Sequence, residues 1–388
     1  MKIVHICHTY IDGFSYQDNE LPKAHAKLGH DVTVISTLDY ANCFNYNVNQ
    51  NFGTNSYKID QCKIIRLKLK FKTNYRFAMY KGLYLCLQNE EPDLIYFHGI
   101  PYFNYYDIIK YKIRYKCKLV VDFHCDFHNS ANNILSKYLL HKGLYHFIIA
   151  LTKYFVDQYY AVTPGTIDFV HSMYGINKKN INLLPLGGDV ELINLKDKKR
   201  VREHIRKELG VSERQIVIVT AGKIDVYKKT INLVKACNLL NNNVVTLLII
   251  GSIDYCYEKE LKNAINNNIN IILLGWKKIE DIYRYFLASD IACFPGGQSV
   301  LWQQAICCGL PLICKYWNGG EYLDSGGNVA FLRSDSEEEL YMLIKKIVDS
   351  EDLRQKMSEI SKNEGSNKFS YLGIGKQVID DISGCISS

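Results

Sequence analysis

Short apolar runs recur along the chain, each halted by glycine, proline or a polar cluster, with stretches of helical periodicity between them. KIVHIC, from Lys2 to Cys7, is the first run. A helical pattern from Gln17 to Leu28 ends at Gly29, and DVTVIS follows from Asp31 to Ser36, so the chain opens as strand, helix and strand. A crossover of this kind sets the loop at Gly13, Phe14 and Ser15 above the strand ends, where open α/β sheets take their ligands. PDLIYF at Pro92–Phe97 and LVVDF at Leu119–Phe123 extend the sheet, and each delivers a histidine at its end, His98 and His124. Tyr160–Val162 and Ile181–Leu184 complete this half. From Ile65 to Lys72, Leu67, Leu69 and Phe71 alternate with Arg66, Lys68, Lys70 and Lys72, which predicts a strand with one wet, basic face.

A second series begins at Gln215–Thr220 and continues through Val244–Ile250, Asn270–Leu274, Ile291–Phe294 and Leu310–Cys314, with helical segments between, so a second parallel sheet is expected. Its central feature is FPGGQSVLWQQAICCGLP, from Phe294 to Pro311: a strand end, a glycine turn and a helix start. Ser299 suits the N-cap, Val300, Leu301, Ala305, Ile306 and Cys308 keep helical spacing, and Gly309 with Pro311 closes the helix. A phosphate above this turn would meet unpaired backbone N–H groups and the positive end of a helix dipole. Between the two halves, KDKKRVREHIRK from Lys196 to Lys207 has the charge density of a solvated helix or linker. The boundaries therefore fall at residues 1–190, 191–370 and 371–388, the last being a terminal helix around Tyr371–Ile382.

At 388 residues the chain has room for two domains, each with its own core. With 47% hydrophobic residues, 22% charged residues and seven prolines it is not a disordered chain. The net charge of +7 favours acidic ligands or an anionic membrane surface, and no nucleic-acid partner is expected. The 13 cysteines form no C-x-x-C pair and no zinc-spaced cluster, and several sit inside apolar runs, so they read as reduced core residues of a cytoplasmic protein. The first residues enter a strand pattern without an apolar signal core, and no run reaches the roughly 18 apolar residues of a membrane span.

The loop after the first strand of the second series carries Gly222, Lys223, Lys228 and Lys229. Gly222 lets a ligand approach the backbone, and lysines at a strand's C-terminal end can hold phosphates as point charges; a solvated basic loop has the same composition. Around it the chain resembles the retaining glycosyltransferases of GT-B fold, family 4 most closely. KLGHDVTVIS at Lys27–Ser36, LPLGGD at Leu184–Asp189, LGW at Leu274–Trp276, LASDIACFP at Leu287–Pro295 and GLPLI at Gly309–Ile313 follow the family's order nearly end to end. The resemblance implies an α/β protein of two Rossmann-like parallel-sheet domains facing a cleft, acceptor side first and donor side second, with the C-terminal helix returning toward the N-terminal domain.

It also implies roles. Lys223 stands where the family has arginine and Lys229 is the second cation, and both would compensate the departing diphosphate. Lysine keeps that charge without the planar fork of arginine. His124 matches the family's histidine on the transferred sugar and completes the catalytic set. Gly13, Gly222, Trp276, Gly297, Gln298, Ser299, Val300 and Gln304 are the donor-binding set, and Ser15, His98 and Asp126 lie on the acceptor or sugar side. Without the resemblance, His98 and His124 would both read as packing residues after buried strands. No Asp-x-Asp occurs, which fits diphosphate binding without a metal, and the nucleotide-sugar is a substrate, so no cofactor is implied.

The chain departs from the family in the central stretch. The family carries one glutamate near the sugar and another on the ribose; alignment on Ala305 puts Gly296 and Gln304 at those positions. Gln304 can still bond ribose hydroxyls, whereas nothing at Gly296 replaces a carboxylate. Gln298, Ser299 or Glu321, in NGGEYL, could reach the same space. The expected activity is retaining transfer of a sugar from a nucleotide donor, uridine-linked, to a glycan or lipid-linked oligosaccharide in surface polysaccharide synthesis. The alternatives are a non-catalytic relative that binds sugar nucleotide or glycan, and a nucleotide-sugar epimerase on the same fold. Lys63, Arg66, Lys68, Lys70, Lys72, Arg76 and Lys81, interleaved with Tyr75, Phe77, Tyr80 and Tyr84, and a second stretch at Tyr102–Lys118, suggest peripheral contact with an anionic membrane.

Overall fold

The computed structural model describes residues 1–8, 10–38, 56–70, 79–99, 104–193, 197–240, 244–266, 268 and 270–384. The chain divides into two units, Met1–Pro185 with Ile374–Ser388, and Leu186–Gly373. The first division falls a few residues before the position expected from the charged run. LPLGGD explains the shift: Gly188 N–H donates to Phe369 O at 2.9 Å, Tyr371 N–H returns to Gly188 O at 3.2 Å, and Asp189 N–H donates to Tyr283 Oη at 3.0 Å. The motif from Leu186 to Asp189 is thus already part of the second unit. The helix Tyr371–Gly384 is divided at Gly373, and its remainder belongs with the first unit.

The first unit is built on eight strands: β1 Lys2–Ile6, β2 Asp31–Thr37, β3 Ser56–Ile59, β4 Cys62–Leu67, β5 Leu94–His98, β6 Lys118–Phe123, β7 Gln158–Ala161 and β8 Ile181–Leu183. Their order is β3-β4-β2-β1-β5-β6-β7-β8, parallel throughout except for β3 against β4. β1, β2, β5 and β6 are buried along nearly their whole length, as a sheet covered on both faces requires. The order reverses between β1 and β5, so the loops leaving these strands open at a switch point.

β4 corrects one expectation. Cys62, Ile64 and Arg66 are its buried residues, while Lys63, Ile65 and Leu67 are partly exposed, so the basic face predicted from the alternation is not a wet one at Arg66. Arg66 is 1% exposed; its guanidinium donates to Tyr10 O at 2.7 Å, to Asp12 Oδ1 at 3.2 Å and to Tyr57 Oη at 2.6 Å. These acceptors are supplied by the loop after β1 and by β3, which replace water around the charge. Phe71 and Lys72, at the end of the expected strand, lie outside the described residues.

The second unit holds β9 Ile216–Ala221, β10 Val245–Ile250, β11 Ile271–Gly275, β12 Ile291–Phe294, β13 Leu312–Lys315 and β14 Val329–Leu332, all parallel in the order β11-β10-β9-β12-β13-β14. Its switch point lies between β9 and β12. The charged run forms the helix Lys198–Glu208 and is neither linker nor wholly solvated. Arg206, 1% exposed, donates to Ala288 O at 3.0 Å and Asp290 Oδ2 at 2.6 Å, locking the helix against the segment that precedes β12. Among the described residues no helix is long and apolar enough to cross a membrane.

Candidate functional site

In the second unit the loops leaving β9 and β12 are fastened together. Gly222, at φ +117°, follows β9, and a Cβ on Gly251 would lie 1.7 Å from Gly222 O, so the β9 and β10 exits touch through bare backbone. Asp225 Oδ1 accepts from Tyr227 N–H and Lys228 N–H and turns the loop into one helical turn, Val226–Lys228. From there Gly297 N–H donates to Tyr227 O at 3.0 Å, and Lys228 Nζ donates to Gly297 O at 2.8 Å and Gln298 O at 2.9 Å. Lys228, which the sequence offered only as one of the loop's lysines, has a structural role that sequence reasoning missed. Its ammonium closes the turn after β12, and burial lowers its pKa. Two carbonyls on a loop distant in sequence leave no local pattern to find it by.

The same contact accounts for Gly296. A Cβ there would sit 2.2 Å from Tyr227 O and 2.5 Å from the Lys228 backbone, so the position assigned to the family's first glutamate has no room for any side chain. Beyond it the helix Leu301–Cys307 begins, with Val300 as its flanking residue and Ser299 Oγ accepting from Leu301 N–H at 3.3 Å. Gln304 is fully buried on this helix. Among the described residues Gln298 Nε2 is buried without a hydrogen-bond partner. Gly297 carries the turn itself, and Trp276, just past β11, is 56% exposed.

The cations differ in their commitments. Lys223 is well exposed and lies 3.6 Å from both Asp225 and Asp254. Lys229 pairs with Asp335 at 2.6 Å, which Lys315 also holds at 2.6 Å; hydrogen bonds from both lysines bring the Asp335 pKa down to about 2. Glu321 accepts from Tyr316 Oη at 2.5 Å on the turn Gly320–Leu323.

In the first unit the candidate residues gather around Asp122, the penultimate residue of β6. Its Oδ2 lies 3.1 Å from His98 Nδ1 and 3.2 Å from His124 Nε2, and accepts from Tyr96 Oη at 3.1 Å and Gln17 Nε2 at 3.3 Å; Oδ1 accepts from Gly99 N–H at 3.2 Å. Burial opposes its charge, but the two imidazoles and their bonds outweigh burial and hold the carboxyl well below the usual range. For His124 burial likewise works against the charge, yet Asp122 wins and raises the pKa to about 9. The His124 side chain keeps about a third of its surface exposed, 34%. It is a cationic donor at neutral pH.

His98 is 3% exposed and belongs to this cluster. One atom each of His98, Asp122 and His124, and of Cys7, Asp18 and His98, lie within 4.8 Å of one another, a grouping a metal could use; contacts of 3.1–3.3 Å between them are already accounted for as ion pairs. Asp126 faces a different task, because its Oδ1 accepts from His128 N–H at 2.8 Å and Asn129 N–H at 2.9 Å and caps the turn after β6. Gly13, at φ +78°, turns the loop after β1, and Ser15 follows it. That loop is anchored through Tyr10 and Asp12 to Arg66.

Residues 201–364 match the family described as Glycosyl transferases group 1, and residues 19–192 match Glycosyltransferase Family 4. An uncharacterized glycosyltransferase of Methanocaldococcus jannaschii, MJ1069, is 25% identical over 224 residues, and the match spans about half of each chain, 55%. A glycosyltransferase from Rickettsia africae superposes over 99% of this chain and 98% of its own, with a TM-score of 0.72 at 15% identity. Anabaena HepE in complex with UDP gives 0.73 at 17% identity over 99% of this chain and 100% of its own. WaaG, a glycosyltransferase involved in lipopolysaccharide biosynthesis, gives 0.65 at 16% identity over 98% and 100%.

Proposed function

The chain belongs to the GT-B glycosyltransferases of family 4-like type, and from that premise we propose that it moves a sugar from a UDP-sugar, with retention at the anomeric carbon and without a metal, to a glycan or lipid-linked acceptor of a surface polysaccharide. The observation that carries the donor half is the fastened pair of loops at the switch point between β9 and β12. It presents the exposed Lys223 on the loop after β9 and Gln298 Nε2, buried without a partner among the described residues, on the turn after β12. An exposed ammonium suits a diphosphate, whose developing charge it stabilises as it leaves. HepE, of the same fold, was solved with UDP and with UDP and glucose, which supports the uridine nucleotide. His124, as a cation, is the proposed hydrogen-bond donor to the sugar.

A thermal-shift screen of nucleotides and nucleotide sugars tests the donor first, since a ligand that binds only the folded state raises Tm. UDP-sugars are expected to stabilise most; equal response to all bases would overturn the uridine assignment. Mass spectrometry of the products separates the rivals, because an epimerase changes the sugar with no acceptor and a binding relative changes nothing. Turnover unchanged by a chelator is expected for the metal-independent reaction.

The membrane side of the proposal moves to a different surface. Among the described residues of the stretches singled out from sequence, Tyr80, Tyr105 and Tyr111 are buried, Lys63 pairs with Glu90 at 2.6 Å and Lys112 pairs with Asp157, so these five do not add to a basic, aromatic face. Lys72, Tyr75, Arg76, Phe77 and Tyr102 lie outside the described residues. The helical segment from Ser136 to Thr152 and its flanks expose Ile134 (77%), Leu139 (68%), Phe147 (62%) and Tyr154 (84%). Lys137, Lys142 and Lys153 lie among them, and no acidic residue occurs from Phe127 to Val156. An apolar face with a purely basic rim fits an anionic bilayer. Flotation with anionic vesicles at low salt should recover the protein and lose the Leu139→Glu, Phe147→Glu variant; equal recovery of both would sink this surface.

A further inference from the structure

Behind His124 the first unit contains a line of imidazoles that the proposed chemistry does not use. His25 Nε2 lies 3.2 Å from Gly375 O, His25 Nδ1 lies 2.9 Å from His5 Nε2, His5 Nδ1 lies 2.9 Å from His98 Nε2, and His98 Nδ1 lies 3.1 Å from Asp122 Oδ2. All three rings are buried, at 0% exposure for His5 and His25 and 3% for His98.

The contacts can be counted in protons. The chain has four links and ends on two acceptors, a peptide carbonyl and a carboxylate. Each link requires one hydrogen, and three neutral imidazoles supply only three. The carbonyl can only accept, so His25 Nε2 donates to it, His5 donates to His25, and His98 donates to His5. His98 must then donate from its other nitrogen as well, unless Asp122, or Asp18 with its Oδ1 3.3 Å from that nitrogen and its pKa raised by burial, carries the fourth proton.

We propose that His25, His5 and His98 form one hydrogen-bonded chain that holds a single extra proton against Asp122 and thereby positions His124 and sets its charge. The proposal rests on the reading of His124 as the sugar-side donor. These three are positioning residues, since none touches a reacting atom. Burial pushes His25 down to about 3 and His5 well below the usual range, so both are neutral and the extra proton lies at the Asp122 end. The groups facing the chain are Cys7 just after β1, Asp18 on the helix Gln17–Lys27 with its Oδ1 3.3 Å from His98 Nδ1, Tyr96 on β5, His30 beside His25, and His124. Tyr160 on β7 acts through Tyr96. Asp122 therefore sits between two cations, and the His98 charge restrains the His124 pKa that Asp122 raises.

Nitrogen-resolved NMR of the full chain, with no nucleotide or acceptor present, tests this independently of the proposed reaction. His98 should carry protons on both ring nitrogens at neutral pH, and His5 and His25 one each. A singly protonated His98 with an ionised Asp122 would overturn the proposal without any variant. His5→Gln can donate to His25 and accept from His98, so the His124 titration should match the wild type. His5→Phe removes the acceptor, His98 releases the extra proton, and the His124 midpoint should rise by about one pH unit. The alkaline limb of the kcat profile should rise with it. Identical His124 titrations in His5→Phe and His5→Gln, both folded, would reduce the chain to a packing role.

Discussion

The polar groups of the two units are held in opposite ways. In the first, Asp122, His98, His5, His25 and Arg66 are buried and bonded to one another before any ligand arrives. In the second, Lys223 is exposed, Gln298 Nε2 has no partner, and the firm bonds are those that fix the backbone, such as Lys228 to Gly297 O. A buried network sets protonation and direction, because unpaired charge inside the fold is costly. An open cation with fixed backbone suits a ligand whose charge changes, as in the proposed reaction. The difference teaches that proton placement is built into one unit and charge compensation into the other.

Acid should break the comparison most strongly, because all 11 histidines except His204 lie in the first unit. Burial lowers His25 to about 3 and His8 to about 4. The folded state therefore binds fewer protons than the unfolded one between these values and about 6.5, and stability falls as pH falls through that window, by up to about 1.4 kcal/mol per unit for each group. His124, raised to about 9, acts in the other direction. Its contribution is full below about 6.5 and is lost as pH rises toward 9, reduced by solvent because a third of the side chain is exposed. Hydrogen exchange resolved by residue should show the first unit loosening several kcal/mol before the second at pH 4.5; uniform loss across both would contradict the contrast.

Lys223→Ala comes next. Removing one preorganised cation from a departing diphosphate typically costs about 100-fold or more, so kcat/KM should fall by that factor while Tm stays unchanged. A loss under tenfold would mean that Lys223 is only a solvated loop residue.

Gly296→Ala attacks the fastening itself. The added methyl meets Tyr227 O at 2.2 Å, and the loops must part, at a cost of about 1–3 kcal/mol. Tm should drop and the donor KM should rise, with the first unit's exchange rates unaffected. An unchanged KM would show that the loop contact is not needed for the donor.

Much of this organisation was legible in the sequence. Both βα series, the helix from Gln17 and the turn at Gly297 follow from apolar runs and punctuation, which are local signals. Arg66 was misplaced because alternation reports period and leaves phase open; the acceptors that bury it, Tyr10 O and Asp12, come from another strand's loop. β14 escaped notice because Val329–Leu332 is short and follows two glycines. The histidine chain was invisible for a stronger reason: His5, His25, His98 and Asp122 come from three strands and a helix, and only the parallel order β1-β5-β6 brings them side by side. Gly296 looked like a loss of function in sequence, whereas the fold gives it a packing reason.

Lys229 is where the contrast between the units is weakest, since its carboxylate holds it at 2.6 Å, against 3.6 Å for the two carboxylates beside the more exposed Lys223. Asp335 holds it at 2.6 Å, and the diphosphate must displace that contact before Lys229 can serve it. The pair is solvent-exposed, 31% on the lysine side and 60% on the aspartate, so its strength is at most about 1 kcal/mol. Asp335→Asn should therefore lower the donor KM by about two- to fivefold, with little change in kcat, and the gain should shrink as salt screens the pair in the wild type. A higher KM in Asp335→Asn would reverse the assignment: the aspartate would then be orienting Lys229 for the donor, and the second unit would share the prearranged character of the first.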